Sequence, residues 1–374
     1  MSFKGCVLPD QNLFVSTVDE ARSEHASDNE QFQRCLVMAG GGFRFGYYLG
    51  MYRACQLQGK APDVIVASCG AAIAGALIRH LPDDEQRLAW ISSPQMHTFW
   101  RGLQANPDIS LWRAIRALAQ RALFANDARR IPDLFQDYLF DIPPDLPLPP
   151  ENTYPGAPAL AIIAGRMLYG QEDVGEIRAG KKIFAETIFT EARVAGLLAG
   201  MPSPIASDAH KNSVVAPQIE FATQIAVADA VRASIADMYY FRCHQIGEHH
   251  YSGGVIDLFP IEIARRLAQE VMMERKGWYD RHIELPALRM VLGINGNQRL
   301  QHVLQQEADV WIDTADMETA LVQHQISKQI QWLRNRIVLR VPERYDDFVA
   351  MVSLQWEYGY QRASQALAQA AGKR

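Results

Sequence analysis

Asp63-Val64-Ile65-Val66-Ala67-Ser68-Cys69-Gly70-Ala71-Ala72-Ile73-Ala74-Gly75-Ala76-Leu77-Ile78 is the stretch on which the fold turns. Its first part, Asp63 to Ala67, is a short β-branched apolar run that predicts a strand buried on both faces, as in a parallel sheet. Its second part, Gly70 to Ile78, is rich in small residues and predicts a helix packed tightly on that sheet. Only Ala67-Ser68-Cys69-Gly70-Ala71 separates the two, so the chain must turn sharply. A strand, a strained turn and a helix have the form of a nucleophile elbow, in which the residue at the turn is held out from the sheet.

A second unit of the same kind precedes it. Cys35 to Ala39 is an apolar run ending in Gly40-Gly41-Gly42-Phe43-Arg44, and Tyr47 to Ala54 reads as a buried helix. Two β-turn-α units predict an α/β fold with a doubly wound, mainly parallel sheet. The glycines let the backbone aim consecutive N–H groups at one point near a helix N-terminus, which suits an oxyanion or a phosphate. The loop lacks the Gly-Lys-Ser/Thr ending of a phosphate-binding loop and the spacing of a dinucleotide fingerprint. Further strands are expected at Ala159 to Ala164, Lys182 to Phe184 and Met290 to Ile294.

Residues 1–33 are mostly polar and read as an extension. From Asp83 to about Phe140 the pattern is helical: Leu111, Trp112, Ile115, Leu118 and Leu123 recur on one face, and Arg113, Arg116 and Arg121 on the other. The proline-dense segment Pro143 to Pro158 ends that block. Helices are expected over Met317 to Arg336 and Asp346 to Ala371. At 374 residues and 48% hydrophobic, the chain can bury a large core. A formal charge of -5 provides no basic field, and no nucleic-acid partner is expected. The N-terminus lacks the apolar run of a secretory signal, and no stretch reaches the roughly 18 apolar residues of a membrane span. The reading is a cytoplasmic protein whose membrane contact is peripheral. Its five cysteines have no metal-binding spacing, so reduced thiols, no metal and no cofactor are expected.

Taken together, the glycine loop with Arg44, the elbow at Cys69, the segment Val231-Arg232-Ala233-Ser234-Ile235-Ala236 and the segment from Tyr251 to Pro260 resemble the patatin-like phospholipases over roughly residues 34 to 300. The resemblance implies a three-layer α/β/α fold with a helical insertion at about 81–150. It places residues 301–374 in a C-terminal helical region packed on the same domain. It also implies a lipid or acyl ester ligand, oxyanion donors at Gly40, Gly41, Gly42, Phe43 and Arg44, and a Ser/Asp dyad.

Both dyad positions are changed. Cys69 stands at the nucleophile and Ser252 at the aspartate, and Ala67 and Ala71 replace the elbow glycines. A one-residue shift would make Ser68 the nucleophile. A hydroxyl cannot replace the carboxylate base near neutral pH, so His249, His250 and Asp257 are candidates for a relocated base. In the family, an aspartate at the Asp257 position also shapes the loop before the proline. The paired changes predict a weakly active or inactive hydrolase that keeps a lipid or partner-binding role. The alternatives are a cysteine-nucleophile acyl hydrolase or acyltransferase on a lipid or thioester, and a thiol-based sensor.

Overall fold

The computed structural model describes residues 30–109, 112, 116, 129–207, 210, 212–331 and 335–372. The extension up to residue 29 and most of the expected helix face around Leu111 to Leu123 lie outside the described residues.

Among the described residues the central sheet holds nine strands. Strands β1 (Phe32–Met38), β2 (Val64–Ser68), β5 (Ala159–Met167), β10 (Ala268–Arg275) and β11 (Val310–Asp313) run parallel in the order β11-β10-β1-β2-β5. Strand β6 (Phe184–Phe189) joins β5 antiparallel and pairs in parallel with β7 (Glu220–Ala222). The hairpin of β8 (His244–Ile246) and β9 (His249–Tyr251) pairs with β5 through Arg166 and Tyr251. Strands β3 (Gln104–Ala105) and β4 (Phe140–Asp141) form a separate antiparallel pair. Alternate residues of β1 and β2 enter two different apolar cores, Leu36, Met38, Ile65 and Ala67 on one face and Cys35, Val37, Val64 and Val66 on the other. Burial on both faces is why these strands read as unbroken apolar runs.

The helices are α1 (Gly46–Leu57), α2 (Ala71–His80), α3 (Asp84–Ile91), α4 (Pro94–Arg101), α5 (Ala192–Leu198), α6 (Val227–Ile235), α7 (Ile261–Leu267), α8 (Glu284–Leu292), α9 (Gly296–Leu304), α10 (Met317–Ala320) and α11 (Tyr345–Ala371). The patterns around Cys35, Asp63, Tyr47, Gly70, Ala159 and Asp346 therefore become the expected elements.

Three expectations are corrected. Met290 to Ile294 is not a strand: Met290 to Leu292 closes α8, whose Leu285, Leu288, Val291 and Leu292 are buried at helical spacing. A short apolar run cannot distinguish the two periods. Lys182 and Ile183 precede a strand that begins at Phe184 and runs to Phe189. The segment from Met317 to Arg336 forms one short helix followed by the hairpin of β12 (Ser327–Gln331) and β13 (Arg336–Arg340), with Ile330 opposite Ile337. The last 74 residues are thus not purely helical, since β11 also extends the sheet.

The C-terminal helix reaches the region of the glycine loop. Helices α1 and α11 cross so closely that a Cβ at Gly50 would lie 2.0 Å from the Trp356 carbonyl, and one at Gly359 would lie 1.9 Å from that of Tyr47. Buried Gln355 accepts from the Gly46 amide at 3.1 Å and donates to the Phe43 carbonyl at 3.5 Å. The start of α1, and with it the exit of the glycine loop, is held from the far end of the sequence.

Candidate active site

Cys69 occupies the turn between β2 and α2 with φ of 57°, a left-handed conformation that costs a non-glycine residue about 1–3 kcal/mol. Neighbours hold it there. Its amide donates to Ser234 Oγ at 2.8 Å, and that hydroxyl donates to the Ile163 carbonyl at 2.7 Å. Gly254 closes the far side, where a Cβ would lie 2.5 Å from the Cys69 nitrogen. Ser234, at the end of α6, and Gly254 belong to the two downstream segments singled out in the sequence, so both meet at the elbow.

The thiol donates to Asp237 Oδ2 at 2.6 Å. Burial pushes the Asp237 carboxyl up to about 7, while the thiol's hydrogen bond and the Val255 amide favour its charged form. The Cys69 thiol is itself raised well above its ordinary range, first by burial and then by the negative charge and hydrogen bond of Asp237; the Gly70 amide and Lys276 act in the opposite direction. Both shifts act in one direction: they favour the neutral thiol and raise the affinity of the carboxyl group beside it for a proton.

The glycine loop lies against this pair. A Cβ at Gly40 would be 3.1 Å from Cys69 Cβ and 3.8 Å from Sγ, and one at Gly70 would lie 2.6 Å from the Gly42 carbonyl. Arg44 Nη1 donates to the Gly41 carbonyl at 3.1 Å. Cys69, Asp237, Arg44 and Gly40 to Gly42 all line one cavity of about 1340 Å³, with Leu139, Met238, Val255, Leu258, Trp278, Ile283, Ile330 and Ile337 among its apolar walls.

The patatin-like phospholipase family model matches residues 36–265, more than half of the chain. The chain belongs to the patatin-like phospholipase family. Among solved structures it is similar to VipD from Legionella pneumophila, at 12% identity over 90% of this chain and 67% of that one, with a TM-score of 0.35. No curated protein sequence matches.

Several sequence-derived candidates stand elsewhere in this patatin-like domain. Ser68 is fully buried at the end of β2 and donates to the Asp257 carbonyl at 2.9 Å; the residue on the turn is Cys69, which removes the one-residue shift. At Ser252 the amide donates to the Gly165 carbonyl at 2.8 Å and the hydroxyl faces Gly165, while the thiol of Cys69 meets Asp237. His249 and His250 lie on β9 and line a second, polar cavity with Arg166, Glu172, Asp173 and Arg242, not the cavity that Cys69 lines. Asp257 is buried against Arg299 at 3.2 Å and accepts from the Phe259 amide at 3.1 Å. These contacts tie the loop before Pro260 to Arg299. The Phe43 side chain packs among Phe45, Trp100, Tyr240 and Phe241, with ring centroids 5.6–6.1 Å apart.

Asp237 was missed. Its signal was present: a lone carboxylate between Ile235-Ala236 and the apolar, aromatic run Met238 to Phe241, directly after the Arg-Ala-Ser helix. Among the described residues no group of His, Cys, Asp and Glu is arranged to hold a metal ion.

Proposed function

We propose that this patatin-like protein is a thiol acyl hydrolase in which Cys69 attacks a lipid acyl ester and Asp237 is the general base. The observation that carries this reading is the 2.6 Å hydrogen bond from Cys69 Sγ to Asp237. The pseudoenzyme expectation rested on a missing carboxylate, and the geometry supplies one from a different segment. In the reaction, the thiol proton passes to Asp237 as sulfur bonds to the carbonyl carbon, and the amides of Gly40 to Gly42 receive the developing oxyanion. Collapse expels the alcohol, which takes the proton from Asp237. Water, deprotonated by Asp237, then cleaves the thioester and restores the thiol.

The apolar walls of the cavity suit an acyl chain. Trp278, Ile283 and Ile330 line the cavity and are 63%, 49% and 45% exposed, which supports uptake of substrate from a lipid surface by peripheral contact. No described helix is long and apolar enough to cross a membrane. Cys35, Cys55, Cys69 and Cys243 are free, which suits the cytoplasmic setting in this reading. A thiol-sensor role is disfavoured because a thiol held protonated is a poor target for oxidants.

The test is hydrolysis of a medium-chain p-nitrophenyl ester and of a phospholipid by wild type, Cys69→Ala and Asp237→Asn, with mass spectrometry of the acylated intermediate. Acyl mass on the Cys69 peptide, released by hydroxylamine, supports the reading. Activity that survives Cys69→Ala, or a wild type that neither turns over nor acylates, defeats it.

A further inference from the structure

One buried polar cluster next to the site takes no part in the proton transfer. It begins at Ala39, where β1 passes into the glycine loop. The Ala39 amide donates to Glu274 Oε2 at 2.9 Å, and its carbonyl accepts from the Tyr48 hydroxyl. Glu274 is 1% exposed and also accepts from Thr314 Oγ1 at 3.2 Å. Lys276 Nζ, on a side chain 9% exposed, pairs with Glu274 Oε1 at 3.0 Å and donates to the Tyr47 hydroxyl at 2.5 Å. Both tyrosine hydroxyls press on the loop: a Cβ at Gly41 would lie 2.6 Å from that of Tyr47 and 2.7 Å from that of Tyr48. Lys276 also lines the cavity that holds Cys69.

A buried ion pair of this kind is weak evidence for stability, because desolvation consumes most of its attraction. Its placement has a clearer use. Hydrogen-bond donors stabilise an oxyanion only if they are fixed before the charge develops, and a nearby cation strengthens that field where water is excluded. Two of the cavity's cations are tied to the loop: Arg44 is bonded to the Gly41 carbonyl, and Lys276 reaches Gly41 through the Tyr47 hydroxyl.

We propose that Lys276 is a positioning residue for the reaction at Cys69: through Glu274, which holds the Ala39 amide, and Tyr47, which packs on Gly41, it seats the loop so that the Gly40 to Gly42 amides form the oxyanion hole, and it adds positive charge to it. The inference rests on the thiol-hydrolase reading. It accounts for a lysine set among two tyrosines and a glutamate just past the end of β10, the strand next to β1. It also explains why Tyr47 and Tyr48, adjacent in α1, both have their hydroxyls at the loop. The positive charge acts on the thiol as well, favouring the thiolate.

The test has two arms. In the first, steady-state ester hydrolysis is measured for wild type, Cys69→Ala, Lys276→Met, Lys276→Arg and Tyr47→Phe. Lys276→Met is expected to lower kcat by about 100-fold with little change in KM, as removal of an oxyanion donor does, with Lys276→Arg recovering part of the loss. Tyr47→Phe keeps the ring and removes the bridge, and a fall of about tenfold is expected, on the order of one hydrogen bond. The second arm needs no turnover: alkylation of Cys69 by iodoacetamide at pH 8, followed on the Cys69 peptide, is expected to slow about tenfold in Lys276→Met, one pKa unit of thiolate population. A purely structural lysine would lower Tm without slowing alkylation. Unchanged kcat and unchanged alkylation in folded Lys276→Met overturn the proposal, and if that variant does not fold, unchanged kcat in Tyr47→Phe does so. Hydrolysis that survives Cys69→Ala defeats the thiol-hydrolase reading instead, with the alkylation arm still deciding whether the lysine's charge reaches the thiol.

Discussion

Two aspartates flank the elbow, Asp257 buried and Asp237 partly buried at the cavity wall, each bound by one of two consecutive residues. Ser68 donates to the main-chain carbonyl of Asp257, and Cys69 donates to the side chain of Asp237. Asp257 faces Arg299 at 3.2 Å, within a network that includes Glu262, while among the described residues Asp237 pairs with no lysine or arginine. Burial raises both carboxyls, to about 6 for Asp257 and to about 7 for Asp237. The difference lies in what offsets it. A carboxylate matched by a guanidinium is held as structure, whereas one matched only by a thiol and an amide can take a proton, which is why the proposed reaction assigns the base to the less satisfied site.

Substitutions should separate the two. The largest effect is expected from Cys69→Ala, which should abolish ester hydrolysis, while Cys69→Ser should retain measurable activity because Asp237 already completes a Ser/Asp pair. A stopped assay on both variants checks this. Next, Arg299→Met should cost about 3–5 kcal/mol of stability by leaving Asp257 and Glu262 uncompensated, seen in urea unfolding, with activity lost only through unfolding. Asp237→Asn should do the reverse. It should lower kcat/KM by about 100-fold, as loss of a general base does. It should also raise stability at pH 8 by about 1 kcal/mol, since a buried charge is removed.

The pH dependence follows with its sign. The base must be ionised, and its pKa is raised to about 7, so kcat/KM should climb as pH increases through 7 and fall below it. In Asp237→Asn that inflection should vanish. The smallest effect is expected from Ser252→Asp, which should change kcat/KM less than twofold because a base is already in place. A large gain there would reinstate Ser252 as the vacant dyad position.

Legibility followed the range of the interactions. The Gly40 to Arg44 loop, the Cys69 turn and helix α2 could be read because glycine content, apolar period and chain direction are local properties. The hairpin over Ser327 to Arg340 was misread as helix because its strands are short and their apolar residues are only partly buried, Ile337 and Leu339 packing on the edge of the main core while Ile330 and Ile337 line the cavity. The placement of His249, His250 and Asp257 was not legible: they were chosen for closeness in sequence to Ser252, and β9 carries the histidines to another cavity.

By itself the sequence determined the two β-turn-α units, the family and the thiol at the elbow, because each follows from residue type and spacing within a short window. Only the tertiary structure decided which acid meets that thiol. Asp237 is 168 residues from Cys69, and the two are joined where the end of α6 packs on β5 beside the elbow. No local pattern encodes that contact, since a carboxylate's partner is set by which segments the sheet brings together, and its basicity by the water that packing removes.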